Sequence, residues 1–224
     1  MNWRRVAPYS GIAFVVLFPA SVIVSSVPSN TASDHAWTAA YATHAKQAGH
    51  LATGVLLVLA ALSLMTFLTH IWTRVIEAHE SRAVSPLPVV AAGVAAACIA
   101  IGGMLMAASS GSALLYSQAL PRADILRLGN DVGFAMVGVA GMLAAALSIA
   151  CLSVQARAAG IFSPRLARFS VAVAVVLLAS VAFVPILALV IWLVAVTVTL
   201  TRAAPAKSAV TSNTANEPAA PARA

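Results

Sequence analysis

Charge is scarce in this chain. Asp, Glu, Lys and Arg together make up 8% of its 224 residues, and the acidic share is six side chains. Soluble domains carry about a quarter charged residues, so a water-facing surface cannot be assembled from this composition. Cysteine is scarcer still: two residues exclude a disulfide-rich secreted fold. Lys and Arg outnumber acids 13 to 6 and leave a net charge of +7, but they are scattered singly. They form no basic patch for phosphate tracking, and a nucleic-acid module is excluded. A disordered chain is excluded by a hydrophobic share of 61%.

What is present is long apolar runs. Five of them stand out, about 8–27, 51–75, 87–109, 132–154 and 169–200. The first four are close to the ~20 residues that cross ~30 Å of hydrocarbon at 1.5 Å per residue. The fifth holds 32 residues, roughly 48 Å as one helix, too long for a span without strong tilt. Pro185 offers a break, because proline disrupts a helix interior and suits a turn. Two spans then replace one, about 167–183 and 185–201.

Positive charge chooses between five spans and six. With Arg4 and Arg5 inside, six spans place 10 Lys and Arg residues inside (Arg74, Arg82, Arg157, Arg165, Arg168, Arg202, Lys207 and Arg223 are the others) and leave Lys46, Arg122 and Arg127 outside. Five spans give 7 against 6. Only six spans follow the positive-inside rule. The expected fold class is therefore all-α: an integral membrane bundle of six transmembrane helices over residues 1–202, with both termini cytoplasmic and a disordered cytoplasmic tail at 203–224. The N-terminal segment also has the outline of a secretory signal peptide, but Pro19 interrupts its apolar stretch and no Ala-x-Ala pattern follows. It is read as a retained first span.

Residues 28–50 form the first outer loop. Thr31 and Asp34 have capping-box spacing, and Trp37, Tyr41, His44 and Ala48 then fall on one helical face, predicting an interfacial helix with its rings at headgroup level. In the second outer loop, Pro121 and Asp124 mark a helix start. Small residues recur at every fourth position as Ala92, Ala96 and Ala100, as Gly103, Ala107 and Gly111, and as Ala140, Ala144 and Ser148. In lipid that spacing lets backbones approach closely, within the bundle or between copies.

Catalytic and cofactor chemistry finds little support. A bis-histidine haem needs histidines on facing helices, yet His50 and His70 share one span, 20 residues or ~30 Å apart. His35, His44 and His50 are separated by nine and six residues, and His70 from His79 by nine, none the three or four of a helical metal site. Ala108-Ser109-Ser110-Gly111 lacks the leading Gly of a rhomboid protease, and no histidine follows on a later helix. Cys98 and Cys151 lie at depths about 11 Å apart, beyond disulfide reach. No catalytic residue, cofactor or metal site is expected.

Two polar features remain. Ser63, Thr66, His70, Thr73 and Glu77 form a stripe on the second span, read as hydroxyls serving their own backbone while His70 and Glu77 reach the interface. Asp124, Arg127 and Asp131 recur at i, i+3 and i+7, with Asn130 beside the last, at the outer mouth of the fourth span. Charges at that depth face a bundle interior or a water-filled cavity. Arg127 is expected to neutralise both carboxylates, with a substrate site as the competing reading.

Ile125-Leu126-Arg127-Leu128-Gly129-Asn130-Asp131 leading into Phe134, with Ser163-Pro164-Arg165-Leu166 opening a hairpin that closes on Trp192-Leu193-Val194, resembles a pattern in uncharacterised multi-span membrane proteins of actinobacteria. The resemblance implies an architecture and carries no activity. The expectation is a non-enzymatic, multi-pass plasma-membrane protein, an accessory or partner-binding component. Its partners are the lipid bilayer and another membrane protein or a second copy of itself, with no nucleic acid. The alternative is a small-molecule or ion transporter with an outward-facing site near Asp131.

Overall fold

A computed structural model describes residues 6–24, 27–29, 31–78, 84–179 and 186–202. Arg4, Arg5, Arg82, Pro185 and the tail at 203–224 lie outside the described residues, and the expectations for them with them.

All regular structure among the described residues is helical. A 3-10 turn at Ala7–Tyr9 leads into α1 (Ser10–Val24), followed by a short α2 (Asp34–Ala40), α3 (His44–Ala78) and α4 (Leu87–Tyr116). Next come α5 (Ala123–Ala135), a π-helical turn at Met136–Gly141 and α6 (Met142–Ala158), which run as one apolar helix. The last pair is α7 (Pro164–Leu177) and α8 (Ile186–Arg202). Among the described residues, four helices are long and apolar enough to cross a membrane: Ala7–Val24, His44–Ala78, Leu87–Tyr116 and Ala123–Ala158. Ile186–Arg202 is apolar and shorter. The 32-residue apolar run is not one helix: α7 ends at Leu177 and α8 begins at Ile186.

Neighbours in the chain are neighbours in space. α1 lies on α3, α3 on α4, α4 on the α5–α6 helix, α6 on α7 and α7 on α8, and α8 returns to α1 to close the ring. Thr197 Oγ1 seals that closure by donating to Pro8 O at 3.4 Å. Within the ring, Trp192 of α8 is fully buried, edge-on to Phe67 of α3 at 6.1 Å. Its indole N–H donates to Ser170 Oγ of α7 at 2.7 Å. One buried indole thus ties three helices through a satisfied hydrogen bond, the usual requirement for a polar atom out of water.

α4 occupies the tightest position. A Cβ on Gly103 would meet Leu57 Cβ of α3 at 2.7 Å, and one on Gly54 would meet Ala107 Cβ at 2.6 Å and Gly103 O at 2.9 Å. On the opposite side, a Cβ on Gly102 would meet Gly133 O of α5 at 2.6 Å, and one on Gly133 would meet Gly102 O at 2.6 Å. Two adjacent glycines therefore let α4 touch two helices backbone to backbone, where dispersion and weak Cα–H···O contacts drive association in lipid. The expected small-residue ladder contains Gly103 and Ala107 of this crossing; Gly54, Gly102 and Gly133 are added by the structure. Ser148 also closes a contact, donating to Pro88 O at 2.7 Å.

Helix ends depart from the expected boundaries in both directions: α7 stops at Leu177, short of the expected 183, while other helices run past theirs. α3 has 35 residues and the α5–α6 helix 36, so each runs over 50 Å, well past ~30 Å of hydrocarbon. The hydropathy runs at 51–75 and 132–154 are only their apolar middles. At one end of the bundle, the surplus turns build a cap.

A candidate functional site in the helical cap

The cap is made of α2, the first turns of α3 and the first turns of α5. Ser33 is the N-cap of α2, its side chain accepting from Ala36 N at 3.3 Å. The expected capping box beginning at Thr31 does not form: Thr31 Oγ1 instead lies 3.2 Å from Ser29 Oγ. α2 ends at Ala40 and the chain turns at 41–43, so the predicted face from Trp37 to Ala48 is broken. Trp37 and Tyr41 are fully buried, packed with Ala123 and Leu126 of α5. Their rings face protein, not the headgroup layer. Burial correspondingly pushes the Tyr41 phenol above its ordinary pKa.

Three side chains of α3 fasten the C-terminal end of α2. Lys46 Nζ donates to Ala39 O at 2.7 Å, Gln47 Nε2 to Tyr41 O at 2.9 Å, and His50 Nε2 lies 3.3 Å from Ala40 O. A carbonyl can only accept, so Nε2 carries the proton in that bond. The His50 ring also stacks on Tyr41, centroids 4.1 Å apart and planes 7° apart. Carbonyls at a helix C-terminus are short of intrahelical partners, and these donors add to what the backbone provides there.

Arg127 of α5 holds the other end of α2. One terminal nitrogen donates to Ala32 O at 3.2 Å and to Asp34 Oδ1 at 3.1 Å, and the guanidinium sits 5.6 Å from the Trp37 ring centre, within cation–π range. This corrects the expected triad. Arg127 pairs with Asp34, 93 residues away in the chain, rather than with Asp124 or Asp131 of its own helix. Asp124 instead meets Arg122 at 3.4 Å on an open surface. Asn130 is buried and Asp131 half-buried. Among the described residues Asp131 has no ion-pair partner. Two buried nitrogens of the cap, Trp37 Nε1 and Arg127 Nε, find no protein acceptor among the described residues.

The second polar feature behaves locally. Ser63 Oγ donates to Leu59 O at 2.8 Å and Thr73 Oγ1 to Thr69 O at 2.9 Å, each one turn back on its own helix. Thr66 and His70 are half-buried, and Glu77 is exposed near the helix end. The stripe does not converge on the cap.

No protein-family model, curated protein or solved structure matches this chain. The reading of its site therefore rests on the geometry above.

What sequence reasoning missed is the fastening of α2. Its signal was present as His44-Ala45-Lys46-Gln47-Ala48-Gly49-His50, a polar run continuing directly into the 51–75 apolar stretch. Lys46 and His50 fall at i and i+4 on that run, one helical face aimed at a common neighbour.

Proposed function

We propose that this chain is a six-span, non-enzymatic plasma-membrane protein, an accessory component that holds a partner, with both termini in the cytoplasm. The carrying observation is the outer cap: the terminal groups of Lys46, Gln47, His50 and Arg127 are engaged with carbonyls at the two ends of α2. A transport site needs polar groups that exchange partners and helices that part. Here the polar groups lock a lid-like helix down, and the helices beneath touch at glycine crossings. Rigidity of that kind suits a scaffold. The six-span orientation is supported by the 10-to-3 distribution of positive residues and by the α7–α8 pair closed through Trp192 and Ser170. The resemblance to actinobacterial multi-span proteins belongs to the same proposal.

A place for the partner is offered by the lipid-facing side of α4. Gly93 has nothing within 4 Å of where a Cβ would stand, and Ala97, one turn on, is exposed. A Gly-xxx-Ala notch admits another transmembrane helix closely. Purification in mild detergent tests the reading. A second membrane protein, or a second copy, should travel with the chain at fixed stoichiometry and be lost on Gly93→Leu without loss of thermal stability. The runner-up, an outward transporter, draws on the unpaired Asp131 carboxylate and the two orphaned cap nitrogens. A solitary monomer whose uptake phenotype disappears with Asp131→Asn would establish it instead.

A further inference from the structure

At the end of the bundle opposite the cap, α6 and α7 meet in a tight corner. Gly160 adopts φ +71°, the left-handed conformation that ends a helix cheaply only for glycine. The backbone N–H groups of Ile161 and Phe162 return to Ala156 O at 2.9 and 3.1 Å. Ser163 then caps α7, accepting from Leu166 N at 3.2 Å. The corner splays the two helices around an open groove of about 530 Å³, within the range of small-ligand pockets. Val154 and Ala158 of α6 and Ala167 and Val171 of α7 make its apolar walls, and Arg157 and Arg168 line it as well. Ser153 also lines it, but its hydroxyl is turned to Ile149 O at 2.6 Å and is not offered to a ligand.

The two arginines are the unusual part. Arg168 Nε donates to Pro164 O at 3.3 Å, which steadies the guanidinium. Among the described residues, neither Arg157 nor Arg168 is paired with a carboxylate. Two guanidinium groups without a carboxylate partner, beside an apolar trough, match an amphiphile: a phosphodiester for the arginines and an acyl chain for the trough. A free phosphate would leave the trough in water.

We propose that this groove is a binding site for an anionic glycerophospholipid, with its headgroup phosphate on Arg157 and Arg168 and one acyl chain lying between α6 and α7. The site rests on the orientation proposed above for its leaflet, since that orientation puts these arginines at the cytoplasmic surface, where anionic lipids attract basic residues. Its chemistry does not depend on the leaflet.

The test uses the full chain in neutral detergent, with thermal melting read against added phosphatidylglycerol, phosphatidylcholine of the same chains, or inorganic phosphate. Phosphatidylglycerol should raise the melting temperature saturably, and the other two should not. Arg157→Gln and Arg168→Gln should each weaken the apparent affinity about fivefold, and the pair about 25-fold, with melting in lipid-free detergent unchanged. Ala158→Leu, which fills the trough and keeps both charges, should weaken binding as well. Arg122→Gln, at the other end of the molecule, should not. An equal response to phosphatidylcholine or to inorganic phosphate, or full affinity in the double variant, overturns the site. Labelling of Ala159→Cys by an impermeant thiol reagent in intact cells, with Cys98 and Cys151 changed to Ala, reads the orientation separately. Labelling from outside with lipid binding intact would sink the orientation and leave the groove standing.

Discussion

Alanine replacement at three glycines of one helix separates close backbone contact from ordinary helix propensity. Gly93, Gly102 and Gly103 all lie inside α4, so each Gly→Ala gains about 0.5–1 kcal/mol of helix propensity if nothing else changes. At Gly93 nothing lies within 4 Å, and the variant should be more stable by about that amount. At Gly102 the new methyl would stand 2.6 Å from Gly133 O and 2.8 Å from Val137 Cγ2. At Gly103 it would stand 2.7 Å from Leu57 Cβ. A backbone carbonyl and a Cβ atom cannot rotate aside, so a helix must shift. Overpacking of this kind costs about 1–3 kcal/mol, and subtracting the propensity gain leaves a net loss of up to about 2.5 kcal/mol, centred on about 1, at either site. The gap between Gly93→Ala and Gly102→Ala is then roughly 2 kcal/mol. Unfolding in mixed detergent micelles, followed by circular dichroism against rising dodecyl sulfate, resolves that difference. Equal behaviour of the three variants would refute the two glycine crossings. So would stabilisation by Gly102→Ala.

The cap supplies a contrast between neighbours on one helix. Arg127→Ala removes an ion pair with an exposed carboxylate, a carbonyl bond and a cation–π contact, and should cost about 1–3 kcal/mol in the same unfolding assay. Asp131→Asn touches none of these and should stay within about 0.5 kcal/mol of the parent; a loss as large as that of Arg127→Ala would restore the discarded Asp131 pairing. Trp192→Phe should lose about 1–2 kcal/mol through the missing bond to Ser170 and the smaller ring, and Ser170→Ala in that background should add little, since the two residues act as a pair. An additive double variant would mean that the indole bond does not tie α7 to α8. Limited proteolysis checks the clamp on α2: Gln47→Leu and Lys46→Met together should speed cleavage near residues 41–43, and an unchanged rate would contradict the fastening.

Much of the architecture was legible because hydropathy reports burial in lipid directly. The runs around Leu51, Leu87 and Val132 each mark a helix. The length of the last run called for a break, expected at Pro185, which lies outside the described residues; α7 already ends at Leu177. Helix ends were less legible for the same reason. Hydropathy stops where lipid stops, whereas α3 and the α5–α6 helix continue into the cap through polar residues such as Lys46, Gln47 and Arg127. The candidate site was half readable. Arg127, Asn130 and Asp131 were marked by charge and polarity at a membrane boundary, but helical spacing proposes only partners on the same helix. The actual partner of Arg127, Asp34, lies on α2, and no periodicity connects elements 93 residues apart. Trp37 and Tyr41 were misplaced because an aromatic face at an interface and one buried against another helix have the same spacing. The π-helical turn at Met136–Gly141 has no marker in the sequence beyond its glycines.

The central claim is a six-span bundle with its cap outside and both ends inside, and one measurement addresses it most directly. A topology reporter fused after Ser208, compared with insertions at Ser33 and Ser117, reads the tail and the two outer loops in living cells. The account predicts a cytoplasmic signal from the tail fusion and external signals from both loop insertions. A tail reporting from outside while Ser33 and Ser117 also report from outside would mean that α7 and α8 do not cross as a pair, and the six-span bundle would fall.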